Sequence, residues 1–375
     1  MNDRLKELDS VRGIAVLLVI FFHVLKRAGY FTKNAFLLFL SQMTGFGWVG
    51  VDVFFTLSGF LITSILLRTK GEEHYFKNFY MRRVLRIVPA YLIVLILVYA
   101  FAPDLGSEFE SQKFQTLPVF LLFQQNWIAI FLDYPMTEYL WVTWSLAVEE
   151  QFYLIWPFVV YRLRKDTLAK VVLGVIVVSF LSRIIGVIFF EQVGKASIYF
   201  FFYYNSFNRF EELAIGALLA ILVTYDGWLD RIRKYSIPVF LTFLSVFAIL
   251  CLIAPLAPHP GYGVPLTVGG YTSAALTTAG LIAAFVTYPE TSLIRRLFQN
   301  KILIFYGKYS YSLYLFHMPA AVILLDLLWH TGERGWYMYI LYAVASITVT
   351  TVIAFLSWHL IEKHMLNLKK YFEYS

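Results

Sequence analysis

The sequence predicts an all-α polytopic membrane protein, a helical bundle of about ten transmembrane helices plus one re-entrant or interfacial segment, and three observations predict it. Hydrophobic residues make up 59% of the 375 and charged residues only 15%, with a mean hydropathy of +0.67. That is more apolar than a water-soluble globular domain usually is. Apolar stretches of about 18 residues or more recur from end to end, the length a helix needs to cross hydrocarbon. The net charge is +7, but the basic residues fall in short runs between the apolar stretches, a pattern that suits topology and anionic headgroups and excludes nucleic acid as a partner. Cysteine occurs once, as Cys251 in an apolar run. No disulfide framework, thiol nucleophile or Cys-based metal site is therefore expected, and no metal.

The chain reads as one membrane-embedded domain over 1–375. Residues 1–8 are short and charged and lead into an apolar stretch without a small-residue cleavage site, so that stretch is read as a retained span. Spans are expected near 9–27, 49–67, 87–103, 143–161, 170–190, 209–225, 236–256, 270–288, 303–325 and 337–358. Segment 117–132 is set by charge. If it does not cross, the basic clusters at 68–86, 162–170, 231–234, 295–301 and 363–370 join Arg4 and Lys6 on one side, the cytoplasm. Asp104, Glu108, Glu110, the run 133–138 and the Pro- and Gly-rich stretch 257–270 then lie opposite. Its polar centre Gln124-Gln125-Asn126 suits a segment buried in protein. Both termini come out cytoplasmic, in the cytoplasmic (inner) membrane of a multi-pass protein.

Ionisable side chains inside a bilayer cost about 2.5–3.5 kcal/mol each at a helix centre, so each needs a partner, a wet cavity or a function. In the first span Arg12 and His23 are eleven residues apart. They therefore differ by roughly 20° around the helix and about 16 Å along it, one face at two depths. Arg12 is either a snorkelling arginine or an entrance group for an anionic ligand, and His23 either a packing histidine or a base. Asp52 falls at the depth expected for His23, as a helix cap or as a carboxylate that orients the imidazole. Ser58 and Gly59 follow it, as close-packing residues or as part of a site. Arg82, Arg83 and Arg86 stand at helical neighbour spacing before Pro89, a topology cluster that also suits a pyrophosphate or 3′-phosphate.

The fourth span opens Thr143-Trp144-Ser145 and carries Glu149 and Glu150, which point about 100° apart. Glu149 is favoured for a site because it shares its face with Ser145 and Tyr153. Arg209 and Glu212, three residues apart, are expected to neutralise each other. Ser310, Tyr314 and His317 share a face, as do His359 and Glu362, with packing or pore-lining roles.

An arginine and a histidine separated by ten residues in the first span resemble the signature of the acyltransferase family 3 membrane proteins. Residues 50–61, 82–91, 144–153 with Pro157, 209–220, 310–319 and Ile361-Glu362 resemble that family's landmarks in order. The resemblance implies an acyl donor, usually acetyl-CoA, and transfer to a hydroxyl of a carbohydrate or glycolipid acceptor at the cell surface. Polysaccharide modification in the cell envelope is the expected setting. Residues 362–364 read Glu-Lys-His where the family commonly has a proline. Some relatives carry an extracytoplasmic hydrolase-like domain. With the sequence stopping at Ser375, the expectation is direct acylation or a separate extracytoplasmic transferase partner.

The expected mechanism uses His23 as general base, Asp52 or Glu149 to set its tautomer, and Arg12, Arg82, Arg83 and Arg86 to bind acyl-CoA. Ser58, Trp144, Ser145, Tyr153, Tyr314 and His317 are expected to contact substrate. A covalent acyl-histidine is the variant route. A proton-coupled or small-molecule transporter is the alternative class, against which stands the lack of any inverted-repeat signal. The acceptor stays open among exopolysaccharide, lipopolysaccharide, peptidoglycan and a small natural product.

Overall fold

The computed structural model describes residues 5–102, 107–131, 137–191, 197–253 and 265–374. Of the residues assigned a side above, Arg4, Asp104, 133–136 and 257–264 lie outside these. Among the described residues the chain is helical throughout, with no strand. Its helices are α1 (Lys6–Ala28), α2 (Ala35–Met43), α3 (Val49–Arg68), α4 (Tyr75–Phe101), α5 (Ser107–Leu121) and α6 (Gln125–Phe131). After these come α7 (Trp144–Arg162), α8 (Lys165–Glu191), α9 (Ser197–Tyr204), α10 (Ser206–Leu222), α11 (Trp228–Ile253) and α12 (Tyr271–Thr287). The last five are α13 (Leu293–Leu297), α14 (Lys301–Lys308), α15 (Ser310–Trp329), α16 (Trp336–Ser357) and α17 (Lys363–Asn367). The ends carry familiar signals. Glu7 and Asp9 open α1 while Lys26 and Arg27 close it, as the helix dipole favours. Asn205 caps α10 by accepting from the Phe207 amide.

Eight helical segments among the described residues are long and apolar enough to cross a bilayer. The other two expected spans are α7 and α10, the helices that carry Glu149, Glu150 and Gln151 and Arg209, Glu211 and Glu212. They are less apolar, and Glu149, Gln151, Arg209, Glu211 and Glu212 find polar partners inside the bundle; α10 buries nearly all of its length. The outward faces of α8, α11 and α16 expose Leu, Ile, Val and Phe, as lipid-facing helices do. The protein is a multi-pass membrane protein.

Segment 117–132 is broken as its polar centre suggests. Phe123 adopts φ +53, separating α5 from the seven-residue α6, which at 1.5 Å per residue is far too short to cross. Gln125 donates to the Thr143 carbonyl at 2.8 Å, and Asn126 to Ser206 Oγ at 2.8 Å. Gln151 of α7 donates to the Phe123 carbonyl at 2.7 Å and to Asn126 Oδ1 at 2.9 Å. The non-helical backbone is thus covered by protein, where a bilayer tolerates it.

Helices α3 and α10 meet through glycines. A Cβ at Gly59 would lie 1.9 Å from the Leu213 carbonyl oxygen, and one at Gly216 2.0 Å from that of Thr56. Backbone faces backbone, so neither contact can be relieved by a rotamer. Gly216→Val is expected to cost about 1–3 kcal/mol and to force the two helices apart. A lowered melting temperature of the detergent-solubilised variant is the readout, and an unchanged one would mean that the two helices are not held this close.

Candidate active site

Helices α3, α4, α7 and α15 enclose a cavity of about 270 Å³. The α3 wall is a helical stripe in which Val51, Phe54, Phe55, Ser58, Leu61, Ile62 and Ile65 recur every three or four residues. Facing it are Ser145, Leu146, Glu149 and Tyr153 of α7 and Ser310, Tyr311 and Tyr314 of α15. Arg83, Arg86 and Ile87 of α4 and Arg12 of α1 complete the lining. Eight expected site residues therefore meet in one space: Arg12, Ser58, Arg83, Arg86, Ser145, Glu149, Tyr153 and Tyr314.

The cavity is electrostatically one-sided. Arg12 pairs with Asp9 at 3.1 Å within its own helix. Arg83 lies over the Phe79 and Tyr153 rings, at 5.9 and 5.8 Å. Its Nε is buried without a hydrogen-bond acceptor. Among the described residues neither Arg83 nor Arg86 has a carboxylate within ion-pair distance. A buried cationic donor without an acceptor is costly, and an anionic ligand removes that cost. Farther in, Ser58 donates to Glu149 Oε1 at 2.6 Å. Ser145 Oγ and Tyr314 Oη are 2.6 Å apart, and Tyr314 donates to the Val142 carbonyl at 2.9 Å. Glu150, turned about 100° from Glu149, does not line the cavity.

His23 and His317 form a pair one helical turn beyond Tyr314. His317 Nε2 is 3.2 Å from His23 Nδ1, and the ring centroids are 5.1 Å apart. The proton positions follow from their carbonyl partners. His317 Nδ1 lies 2.6 Å from the Tyr314 carbonyl, which can only accept, so that nitrogen carries the proton and Nε2 accepts. His23 Nδ1 faces two acceptors, this Nε2 and the Val19 carbonyl at 2.9 Å. In the neutral pair His23 is therefore protonated at Nδ1, and its Nε2 lone pair is left for chemistry.

Several expectations about partners are not met. Asp52 does not orient His23: its Oδ1 accepts from Arg209 Nη2 at 2.5 Å. Arg209 also pairs with Glu212 at 2.9 Å, as its spacing predicts, and lies 4.3 Å from the Tyr271 ring centroid. Asp52 thus belongs to a buried structural cluster behind the α3 wall. Glu149 does not orient His23 either, since its bond is to Ser58. Trp144 stands over Arg209 at 5.7 Å and against Phe55, a wall residue, instead of facing the cavity. Arg82 turns away too, donating to the Phe372 carbonyl at 3.1 Å. His317 is not at the cavity surface, and neither is His23, against which it packs.

Comparisons with known proteins place the chain in a family. A family model described as an acyltransferase domain matches residues 5–359. The chain belongs to acyltransferase family 3. This family-3 chain is 29% identical over 367 residues to a Staphylococcus aureus relative named a "Putative O-acetyltransferase", covering 95% of the chain and 56% of the relative. Identity is 29% over 373 residues with the "Peptidoglycan O-acetyltransferase OatA" of Listeria monocytogenes, covering 95% and 54%. The "Putative peptidoglycan O-acetyltransferase YrhL" of Bacillus subtilis is 31% identical over 379 residues, again covering 95% and 54%. The chain spans about half the length of these curated relatives. No solved structure matches it.

Two features of this family-3 chain escaped the sequence reading. Arg183 of α8 is fully buried and ion-pairs with Glu211, while donating to Thr272 at 2.8 Å. An arginine inside an apolar span was the available signal. Tyr311 lines the cavity and donates to the Ile87 carbonyl at 2.7 Å, tying α15 to α4; a tyrosine among aromatics gives no such signal.

Proposed function

We propose that the chain is a membrane O-acetyltransferase that moves an acetyl group from acetyl-CoA to a hydroxyl of a cell-envelope carbohydrate, across the cytoplasmic membrane with both termini cytoplasmic. The observation that carries this reading is the one-sided cavity, with cations lacking carboxylate partners at one end and an imidazole with a free nitrogen beyond the other. Arg83 and Arg86 hold CoA phosphates at the mouth. A volume of about 270 Å³ is at the low end for small-molecule sites, which suits the acyl-pantetheine arm with the nucleotide left outside. Arg12, paired with Asp9, lines the same cavity.

His317 is about 4.5 Å along α15 from Tyr314, so the thioester reaches the histidine pair once it passes the Ser145–Tyr314 contact. There His23 Nε2 takes the proton of the acceptor hydroxyl as the oxygen attacks the thioester carbon. The C–S bond breaks, the CoA thiolate leaves and takes up a proton, and an ester remains on the acceptor. His317 then shares the charge that His23 gains. The names of the Listeria and Bacillus relatives make peptidoglycan the first acceptor to test, directly or through a separate extracytoplasmic partner.

The test is transfer of labelled acetyl from acetyl-CoA to peptidoglycan fragments or other polysaccharide hydroxyls by the purified chain. Transfer that saturates with acetyl-CoA is expected, and no release of CoA with any acceptor would contradict the reading. Arg86→Gln is expected to raise KM for acetyl-CoA about tenfold with kcat little changed, the loss of one charge-assisted contact. An unchanged KM would remove Arg86 from the donor site.

A further inference from the structure

The segment after α16 folds back on the arginine cluster. Helix α16 passes through a π turn (Trp358–Glu362) into α17 and a 3-10 turn (Leu368–Phe372) that lies along α4. Residues 360–374 lie beyond the 5–359 matched by the family model. They are nevertheless fastened to α4, the helix whose Arg83 and Arg86 line the cavity. Arg82 donates to the Phe372 carbonyl, Asn78 donates to the Glu373 carbonyl at 2.8 Å, and the Tyr374 ring lies 5.3 Å from the Arg82 guanidinium.

This docking brings a fourth cation to the cluster. Lys369 is half-buried and sits in the 3-10 turn that packs along α4, the helix that carries Arg82, Arg83 and Arg86. Among the described residues it has no carboxylate within ion-pair distance. Cations gathered without a carboxylate at ion-pair distance repel one another, whereas a multiply charged anion converts each repulsive neighbour into a ligand. By contrast Lys370 is exposed and lies 5.1 Å from the Tyr371 ring.

We propose that residues 363–374 form one wall of the phosphate site, with Lys369 binding a phosphate of the acyl donor beside Arg86 and Arg83. The assignment rests on the donor reading given above and adds to it a residue outside the family-matched region. The shared chemistry, a phosphate, is offered both by CoA and by anionic lipid headgroups; the structure favours CoA because Arg83 and Arg86 also line the cavity.

The test is equilibrium binding of CoA to the purified full chain in neutral detergent, with steady-state kinetics on acetyl-CoA. Lys369→Gln is expected to weaken CoA binding about three- to tenfold and to raise KM by the same factor at unchanged kcat. Lys369→Arg and Lys370→Gln are expected to stay within about twofold of wild type, which separates loss of charge from loss of fold. If wild type binds CoA and Lys369→Gln binds it equally well, Lys369 is not a ligand. If Lys369→Gln alters only the binding of phosphatidylglycerol vesicles, the site serves lipid and the proposal is overturned. If wild type binds no CoA at all, the donor reading itself fails, a distinct result.

Discussion

Replacing His23 by alanine is expected to lower kcat for acetyl transfer by about two to four orders of magnitude while acetyl-CoA binding stays within about twofold of wild type. The magnitude is that of a single positioned general base. The selectivity follows from geometry, because His23 lies outside the cavity lining that would hold the donor. Its neighbour separates base from packing. His317→Leu removes the acceptor 3.2 Å from His23 Nδ1 and leaves that nitrogen its bond to the Val19 carbonyl, so a smaller fall, roughly tenfold, is expected. His317→Gln offers an amide oxygen near the same place and is expected to recover part of the loss. The measurement is initial rate with labelled acetyl-CoA beside CoA affinity. Equal kcat in wild type and His23→Ala would remove His23 from the chemistry.

The second large effect concerns stability. Arg209 sits fully buried between Asp52 and Glu212, with Phe55, Trp144, Tyr203 and Tyr271 around its guanidinium. Arg209→Met leaves two carboxyl groups in the interior without their cation. Removing one member of a buried pair costs about 3–5 kcal/mol, mostly from the charge left behind. Loss of most folded protein after detergent extraction is expected, with the remainder melting at markedly lower temperature. Pairing it with Asp52→Asn is expected to cost less than the two single changes added together, because the groups share one network. A wild-type melting temperature for Arg209→Met would show that the cluster does not hold α3 to α10.

These two cases also mark where the sequence is readable. Hydropathy and basic runs specify the spans, because both are properties of consecutive residues. The polar centre of 117–132 is likewise local, and so is the break at Phe123. The stripe Val51, Phe54, Phe55, Ser58, Leu61, Ile62 and Ile65 has helical spacing, so the cavity face of α3 was available in the sequence. Asp52 is off that stripe, on the side with Thr56 and Gly59 that meets α10. Depth along the helix placed Asp52 level with His23, but depth says nothing about azimuth relative to a helix 157 residues away. The same limit hid His317 as the partner of His23, 294 residues apart. Lys369 read as one of several basic residues near a span end, since folding back onto α4 is a tertiary event that local patterning does not encode.

The most direct measurement is the structure of the protein bound to a non-reactive ketone analogue of acetyl-CoA. The account predicts phosphates on Arg83 and Arg86, the pantetheine arm between α3, α7 and α15, and the ketone carbon at the His23–His317 pair beyond Tyr314. Phosphates bound elsewhere, or an acyl end directed away from His23, would contradict it.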